Sequence, residues 1–523
     1  MSNLTPVASP HPRAKLWIFS LVAVVVAAGI CGALLLTLLL TSGRWLTPIA
    51  KREILQALSR QYRSDVDLRS LDLTLFPHPH AVGVGFVFRE KDRPGAPPLI
   101  TLRRFEADAS WPGLLFAPHH VGNVRLEGLE IHIARGEEQG RKIGDGSKQP
   151  APQLVFEEVV ADGTRLEILP RAPGKLPLEF DIYKLSMTSA GTGRAMHYRA
   201  QLRNAKPHGI IDADGDFGPW NALDPGQTGV TGKYQFSNAD LSVFRGISGR
   251  LSSTGEFHGQ LGRIEVNGET DTPDFEVSVG RHLLHLRTTF SATVDGTNGD
   301  TLLHPVKAQF GHTTVMAQGE IVGEQGGKGK TILLDAAVQD GDVADVLRLG
   351  VKSEPPPMNG RIRFHAKIRI PPGGGDIPDR MELNGQFEIT GGRFTNRTLE
   401  QKLSTISERT RGKTDGTAES AAASDFGGKF TLGNGLMTLA GFSFRIPGAT
   451  VRLDGTYGLK NEQLNFRGTI ATEVRLSQMT TGVKSRLLRM VDPIFSRNGT
   501  GAVIPIHIGG TRSSPSFGLS IGR

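Results

Sequence analysis

From residue 65 onward the chain alternates between apolar and polar positions. Val66 and Leu68 are followed by Leu71, Leu73 and Leu75, and then by Val82, Val84, Phe86 and Phe88. Ile100 and Leu102 lead to Phe105, Ala107 and Ala109, and Val124 and Leu126 lead to Leu129, Ile131 and Ile133. A period of two places apolar side chains on one face of a strand and polar ones on the other. In several strands the phase slips once, as between Leu68 and Leu71. A slip of one residue turns the faces over unless a bulge or short turn absorbs it. A polar stretch, residues 136–153, interrupts the pattern. Strand patterning resumes at Leu154 and continues almost to the C-terminus.

A short unit of glycine, polar residue and apolar residue recurs within these strands. It occurs at Gly215-Asp216-Phe217, Gly232-Lys233-Tyr234, Gly255-Glu256-Phe257 and Gly319-Glu320-Ile321, and again at Gly385-Gln386-Phe387, Gly428-Lys429-Phe430 and Gly455-Thr456-Tyr457. Glycine in a strand permits bends and close backbone approach. A sheet bent at recurrent glycines curls into a trough.

Helical periodicity is confined to a few segments. In residues 48–62, Pro48 suits a first helical position and Ile49, Ile54, Leu55, Leu58 and Tyr62 form an apolar stripe. Residues 340–350 carry Asp340 or Asp342 as the N-cap and Gly350 as the stop. Residues 397–412 and 475–495 are further candidates, the second with a basic side of Lys484, Arg486 and Arg489 that packs on the sheet or touches anionic lipid. Too few helices lie between strands for parallel crossovers. The expected fold is therefore mainly β, an elongated, curved, groove-like antiparallel sheet with a few short helices. One N-terminal transmembrane helix is expected to precede it.

That helix is read from residues 16–40, which contain no charge. As a helix they rise about 37 Å at 1.5 Å each, enough to cross a hydrocarbon core of about 30 Å. The run exceeds the apolar core of a cleaved signal, so it reads as an uncleaved anchor. Basic residues flank both sides (Arg13 and Lys15; Arg44, Lys51 and Arg52), so charge alone does not set orientation. The short tail, residues 1–15, favours a cytoplasmic N-terminus.

Composition supports many short strands. Gly numbers 65 of 523 residues, above the usual share of roughly 7%. The net charge of +8 is spread along the chain and forms no dense basic patch with interleaved aromatics, so nucleic acid is not an expected partner. A mild basic excess is compatible with an anionic membrane surface. The single cysteine, Cys31, lies in the apolar run, which excludes an intrachain disulfide and a two-cysteine zinc site.

No His-Glu-x-x-His, Gly-x-Ser-x-Gly or phosphate-loop pattern occurs. No catalytic residue, cofactor or metal is expected. His78 and His80 are bracketed by Pro77 and Pro79 and read as a turn, with no acidic partner placed to orient them. His282 and His285 are three apart in a strand-like stretch, which puts them on opposite faces. Asp212, Asp214 and Asp216 lack the glycine and glutamate of a calcium loop and read as a hairpin turn. Asp295 to Asp300 is likewise dense in turn formers.

The order of these elements resembles the AsmA family of envelope proteins. An anchor and an amphipathic helix are followed by "DVDLRSLDLTLFPHPHAVGVGFVFRE" and "LITLRRFEADASWPGLLFAPHHVGNVRLEGLEIHI", similar to the family's N-terminal module. "GKFTLGNGLMTLAGFSFRIPGATVRLDGTYGLKNEQLNFRGTI" and "PIHIGGTRSSPSFG" are similar to its C-terminal module. On that resemblance residues 45–135 form the N-terminal module, 154–380 a central β region and 381–523 the C-terminal module. The resemblance implies a bacterial inner-membrane anchor with the C-terminal domain in the periplasm. It also implies a bridge-like lipid transfer fold linked to phospholipid movement and outer-membrane assembly.

The residues themselves point the same way. A curved sheet with one apolar face needs a cover. Acyl chains can supply it, at about 0.8 kcal/mol for each buried methylene. Some 25–30 strands at about 4.8 Å each give a groove of roughly 120–145 Å. The expected function is passive conduction of inner-membrane phospholipid, with an outer-membrane or periplasmic protein as a further partner. Leu71, Leu73, Leu75, Val82, Val84, Phe86 and Phe88 are the candidate groove lining, and Ile49, Ile54, Leu55 and Leu58 position the membrane-proximal helix. The alternative is a structural or assembly factor whose sheet is covered by protein.

Overall fold

A computed structural model describes residues 47–519, apart from 63, 91–97, 99, 117–118, 135–153, 170–177, 192–194, 205, 220–224, 297, 324–328, 396–424 and 476–500. The apolar run 16–40, the linker 136–153, the helical candidate 397–412 and, beyond Arg475, the candidate 475–495 lie outside the described residues. The chain forms two compact units. The first comprises residues up to His132 with Ser147–Arg165 and Ser186–Thr192, and the second comprises the remainder.

In the first unit α1 (Thr47–Tyr62) precedes β1 (Ser64–Thr74), β2 (His80–Glu90), β3 (Ile100–Ala109), the one-turn helix α2 (Trp111–Leu115) and β4 (His119–Ala134). β5 (Leu154–Leu169) and β6 (Leu178–Gly191) follow, each divided between the two units. β1 to β4 pair antiparallel in chain order. The phase slip seen in β1 is shared by its neighbours. Leu68 and Leu71 are buried while Arg69 and Ser70 between them are exposed; in β3 Leu102 is buried and Arg103 and Arg104 are exposed. The pairing sets Arg69, Gly85, Arg103 and Gly128 at one level across the four strands. Gly85 and Gly128 have φ of 70° and 63°, a left-handed conformation that glycine adopts without penalty. A side chain there would also collide, since a Cβ would fall 2.9 Å from Arg69 Cβ and 2.7 Å from Arg103 Nε. The strands thus change pleat together at this level. Leu68, Leu71 and Leu102 stay on one side, and two successive polar residues in β1 and in β3 go to the other.

In the second unit the strands are β7 (Met196–Asn204), β8 (His208–Phe217), β9 (Gly229–Asp240), β10 (Ile247–Ser248), β11 (Arg250–Gln260), β12 (Arg263–Val277), β13 (Leu284–Val294), β14 (Thr301–Phe310), β15 (Thr313–Gly323) and β16 (Lys330–Asp342). After α3 (Val343–Arg348) come β17 (Met358–Ile370), α4 (Ile377–Arg380), β18 (Glu382–Phe394), β19 (Asp425–Gly433), β20 (Leu436–Ile446), β21 (Ala449–Gly458), β22 (Leu464–Thr472), β23 (Val503–Gly510) and β24 (Pro515–Leu519). Successive strands pair antiparallel, except that β11 pairs with β9 and β10 pairs with the end of β12 in a separate ladder. The fold is mainly β and antiparallel with few short helices, as the alternation predicts. α3 starts where expected. Of the two cap candidates Asp342 is the one used, its carboxylate accepting from Ala344 N at 2.8 Å.

One expectation is corrected in β8. Asp212, Asp214 and Asp216 are not a hairpin turn but alternate positions within the strand. They accept from Gln201 (2.8 Å) and Arg199 (2.8 Å) and pair with His197 (3.3 Å), all on β7. A D-x-D-x-D run is an alternating pattern as well as a turn-rich one, and cross-strand cations supply the partners that make it a strand. Asp295 to Asp300 does form the turn between β13 and β14.

Candidate functional site: the apolar face

The pairing divides the seven residues expected to share one lining. Leu71 lies opposite Gly83 and Leu73 opposite Ala81, whereas Val82 lies opposite Asp72 and Val84 opposite Ser70. Directly opposed residues in an antiparallel pair point to the same face, and neighbours along a strand point to opposite faces. Val82 and Val84 are therefore on the polar face, among Glu106 and Arg104 of β3. Phe86 and Phe88 stand beyond Gly85, at the levels of Leu68 and Val66, and the change of pleat returns them to the apolar side with Leu71 and Leu73. Leu75 follows the end of β1 and is half-buried. Strict alternation from 82 to 88 misassigns the two valines because it passes straight through the left-handed glycine.

In α1 Leu55 is half-buried and Ile49 is 41% exposed. The side chains of Ile54 and Leu58 lie outside the described residues. Lys51 Nζ donates to Arg69 O at 3.1 Å, which ties α1 to β1. His80 Nδ1 is 2.7 Å from Asp108 Oδ1 on β3, so this histidine does have an acidic partner. A partner 28 residues away on another strand is invisible to local spacing. Among the described residues no three metal-ligating side chains gather.

The more extensive apolar surface is in the second unit, where sequence reasoning named no lining residue. Following directly paired residues from strand to strand, Tyr198 leads to Gly215, Gly232, Phe257, Val266 and Ala292. The row continues through Leu303, Gly319, Leu334, Ile368 and Leu383, and ends at Leu432, Met437, Tyr457 and Leu464. It crosses fifteen strands without a charge. A parallel row runs from Ala317 through Ala336, Ala366, Gly385 and Phe430. The signal that could have found them is the same alternation, read together with the glycine unit.

Glycine on this face leaves room for a ring at Gly385, a member of that glycine unit, and at Gly83 in the first compact unit. A Cβ on Gly385 would fall 2.8 Å from Phe430 Cζ, its cross-strand partner, and one on Gly83 would fall 2.0 Å from Phe105 Cε1. The missing side chain lets the neighbouring ring lie over the sheet, so aromatic area covers backbone that glycine leaves bare.

The phenols on this face are partly buried. Tyr198 is pushed up to about 12, first by burial and then by the carboxylates of Asp214 and Asp216. Tyr234 and Tyr457 are also raised, chiefly by burial. The opposite face is charged and self-paired. Asp271 accepts from His285 (2.6 Å) and Arg287 (3.1 Å), which hold its carboxyl below the usual range. Arg369 bonds Glu382 and Arg361 bonds Asp340 in the same way. A concavity of about 860 Å³ across β14 to β19 is lined by residues of both rows, Leu302, Glu320, Leu333 and Arg369 among the one and Leu334, Ile368 and Leu383 among the other. Its charges are of both signs and create no field that selects an ion.

The apolar face is not uniformly covered. Around α3 it is closed: Val343 joins Ile362, Ile389, Phe426, Phe444 and Val451 in one buried core. Phe426 stacks on Phe444 with centroids 5.1 Å apart and meets Phe394 edge-on at 5.5 Å. Toward the other ends of the same strands, Ile332, Leu334, Ile368, Ile370 and Leu383 are only half-buried. No family model matches this chain, and no match is found among curated proteins or solved structures.

Proposed function

We propose that the protein is a membrane-anchored, non-enzymatic carrier that holds phospholipid acyl chains against the apolar face of its curved sheet. In this reading residues 16–40 anchor it, the sheet forms an elongated groove, and lipid moves passively toward a partner in the envelope, as the AsmA resemblance implies. The observation that carries the reading is the charge-free row from Tyr198 to Leu464, with half-exposed Leu334 and Ile368 at its centre. Half-exposed aliphatic side chains in a continuous strip lose hydration when a hydrocarbon tail lies on them. Head groups stay in water, so no catalytic residue is required.

The test is to purify the full chain from native membranes and analyse co-purifying lipid, for wild type and for Leu334→Asp. Wild type is expected to retain phospholipid and the variant to lose at least three-quarters of it while keeping its melting temperature within a few degrees. A lipid-free wild type would sink the proposal. The closed core around Phe426 favours a second reading, an assembly factor whose sheet is filled by its own side chains. That reading predicts no lipid in either protein.

A further inference from the structure

Two segments of the second unit leave the main sheet together. The pairing of β12 with β13 shifts register between Thr272 and Phe275 and ends at Phe275, opposite Leu284. Beyond it, Glu276 and Val277 pair instead with Ser248 and Ile247 of β10. Ser278 N donates to Gly246 O at 3.0 Å and continues that small ladder. The result is a two-stranded flap, residues 244–249 and 276–283. At its base Gly249 has φ 133°, and Arg250 N donates to Asp274 Oδ1 at 2.7 Å.

The tip of the flap lands far away in the sheet. Val279 forms one buried cluster with Leu432 of β19 and with Leu459 in the turn after β21. From β12 to β19 there are seven ladder steps, about 34 Å along the sheet at about 4.8 Å each. Leu432 is on the apolar row, so the flap approaches from the apolar side. Its other landing contacts are with loops and the start of α4. Ile377 N donates to Arg245 O at 2.8 Å, Arg245 Nη1 donates to Gly374 O at 3.0 Å, and His282 Nε2 is 3.0 Å from Val351 O. The flap therefore bridges the curl of β13 to β18, the strands that carry the half-exposed Leu334 and Ile368.

We propose that this flap is a gate over the apolar face, opening to let an acyl chain in or past and closing on Val279. The inference rests on the lipid reading above. Three features distinguish a gate from a fixed strap. The tip is held by one small apolar cluster, a few hydrogen bonds and the His282–Glu354 pair at 3.6 Å, while its base has a left-handed glycine and a shifted register at which to turn. It lands on loops, the start of α4 and a strand end rather than in a ladder. Its closed position buries Leu432 and packs against half-buried Leu383, at the edge of the half-exposed stretch.

The experiment uses the full chain carrying Cys31→Ser, Val279→Cys and Leu459→Cys, reconstituted in vesicles of phosphatidylethanolamine and phosphatidylglycerol. The cysteines are joined by a short reducible cross-linker, and uptake of fluorescent phosphatidylethanolamine is followed in the cross-linked and reduced forms. Cross-linking is expected to slow uptake at least tenfold, with dithiothreitol restoring it. Hydrogen exchange on the wild type is expected to show Ser278 and Ile377 amides at least a hundredfold less protected than the centres of β16 and β17. Uptake that is equal in both forms overturns the gate and leaves the lipid reading standing. Flap amides as protected as those of β16 and β17 overturn it too. Failure of both forms to take up lipid sinks the lipid reading and the gate with it.

Discussion

Strands β16 to β18 carry the same alternation from end to end, yet their two ends meet different surroundings. At one end Val338 is fully buried, and Ile362 and Ile389 are sealed with Val343 of α3 and the rings of Phe426 and Phe444. At the other Leu334, Ile368 and Leu383 lie in an equally apolar row and stay half-exposed. The difference comes from what crosses the face. α3 follows β16 directly and turns back onto it, capped by Asp342. The other end is bridged by a flap that begins at β12 and lands at β19. An identical pattern of side chains thus yields a core where local chain covers it and an accessible strip where distant chain spans it. Stability should concentrate at the first and function at the second.

The largest effect that tests this division is Phe426→Ala against Ile368→Ala. Phe426 is 2% exposed and touches three other rings. Its truncation should cost about 3–5 kcal/mol, the range for a buried ring. Ile368→Ala should cost about 1 kcal/mol, below the usual core range, because water already reaches part of the side chain. Urea midpoints at constant m-value measure both. Equal losses would mean that the two ends are one core.

Asp345 comes next. This buried carboxylate in α3 accepts from His312 N at 2.7 Å, from Thr313 Oγ1 at 3.2 Å and from Arg348 at 3.2 Å, pinning the helix to the turn between β14 and β15. Asp345→Ala strands those donors and should cost about 2–3 kcal/mol. Asp345→Asn keeps an acceptor for His312 N and should lose roughly half as much. If the closed end depends on α3, hydrogen exchange at Val338 and Ile362 should rise in Asp345→Ala while exchange at Leu334 does not. A uniform rise would dissolve the comparison.

Much of this architecture is legible in the amino-acid pattern alone. Alternation predicts the strands of both units, and helical spacing predicts α1 and α3 nearly to their ends. The slip between Leu68 and Leu71 is visible, and so is the need for a bulge. Its position is not, because the pleat changes at Gly85 on a different strand from the slip that announces it. Val82 and Val84 are misplaced for that reason. The cover of the apolar face is beyond reach for another. Whether Ile362 or Ile368 is sealed depends on Val343 and Val279, and no local period encodes contacts made across seven ladder steps. The His80 and Asp108 pair escapes notice in the same way.

The smallest effect probes how dry the row is when nothing has been added to it. Tyr198 opens the row at β7 and Tyr457 stands near its far end, and burial is the first cause of the raised value for both phenols. A buried phenol resists ionisation because the phenolate is poorly solvated. The unfolded chain releases this proton near pH 10 and folded Tyr198 near 12, so the folded state holds the proton more tightly between those values. The contribution of Tyr198 to stability is unchanged below pH 10, declines as pH rises through that window, and levels off above it. Ultraviolet difference titration of wild type against Tyr198→Phe should place the missing phenolate signal close to pH 12. A lipid filling the row would leave that signal at least as high, and stripping the lipid with detergent should bring it down if water then enters. A Tyr198 that titrates at pH 10 in every preparation would show that the β7 end of the row is wet. The accessible strip would then have to begin further along, at the strands spanned by the flap.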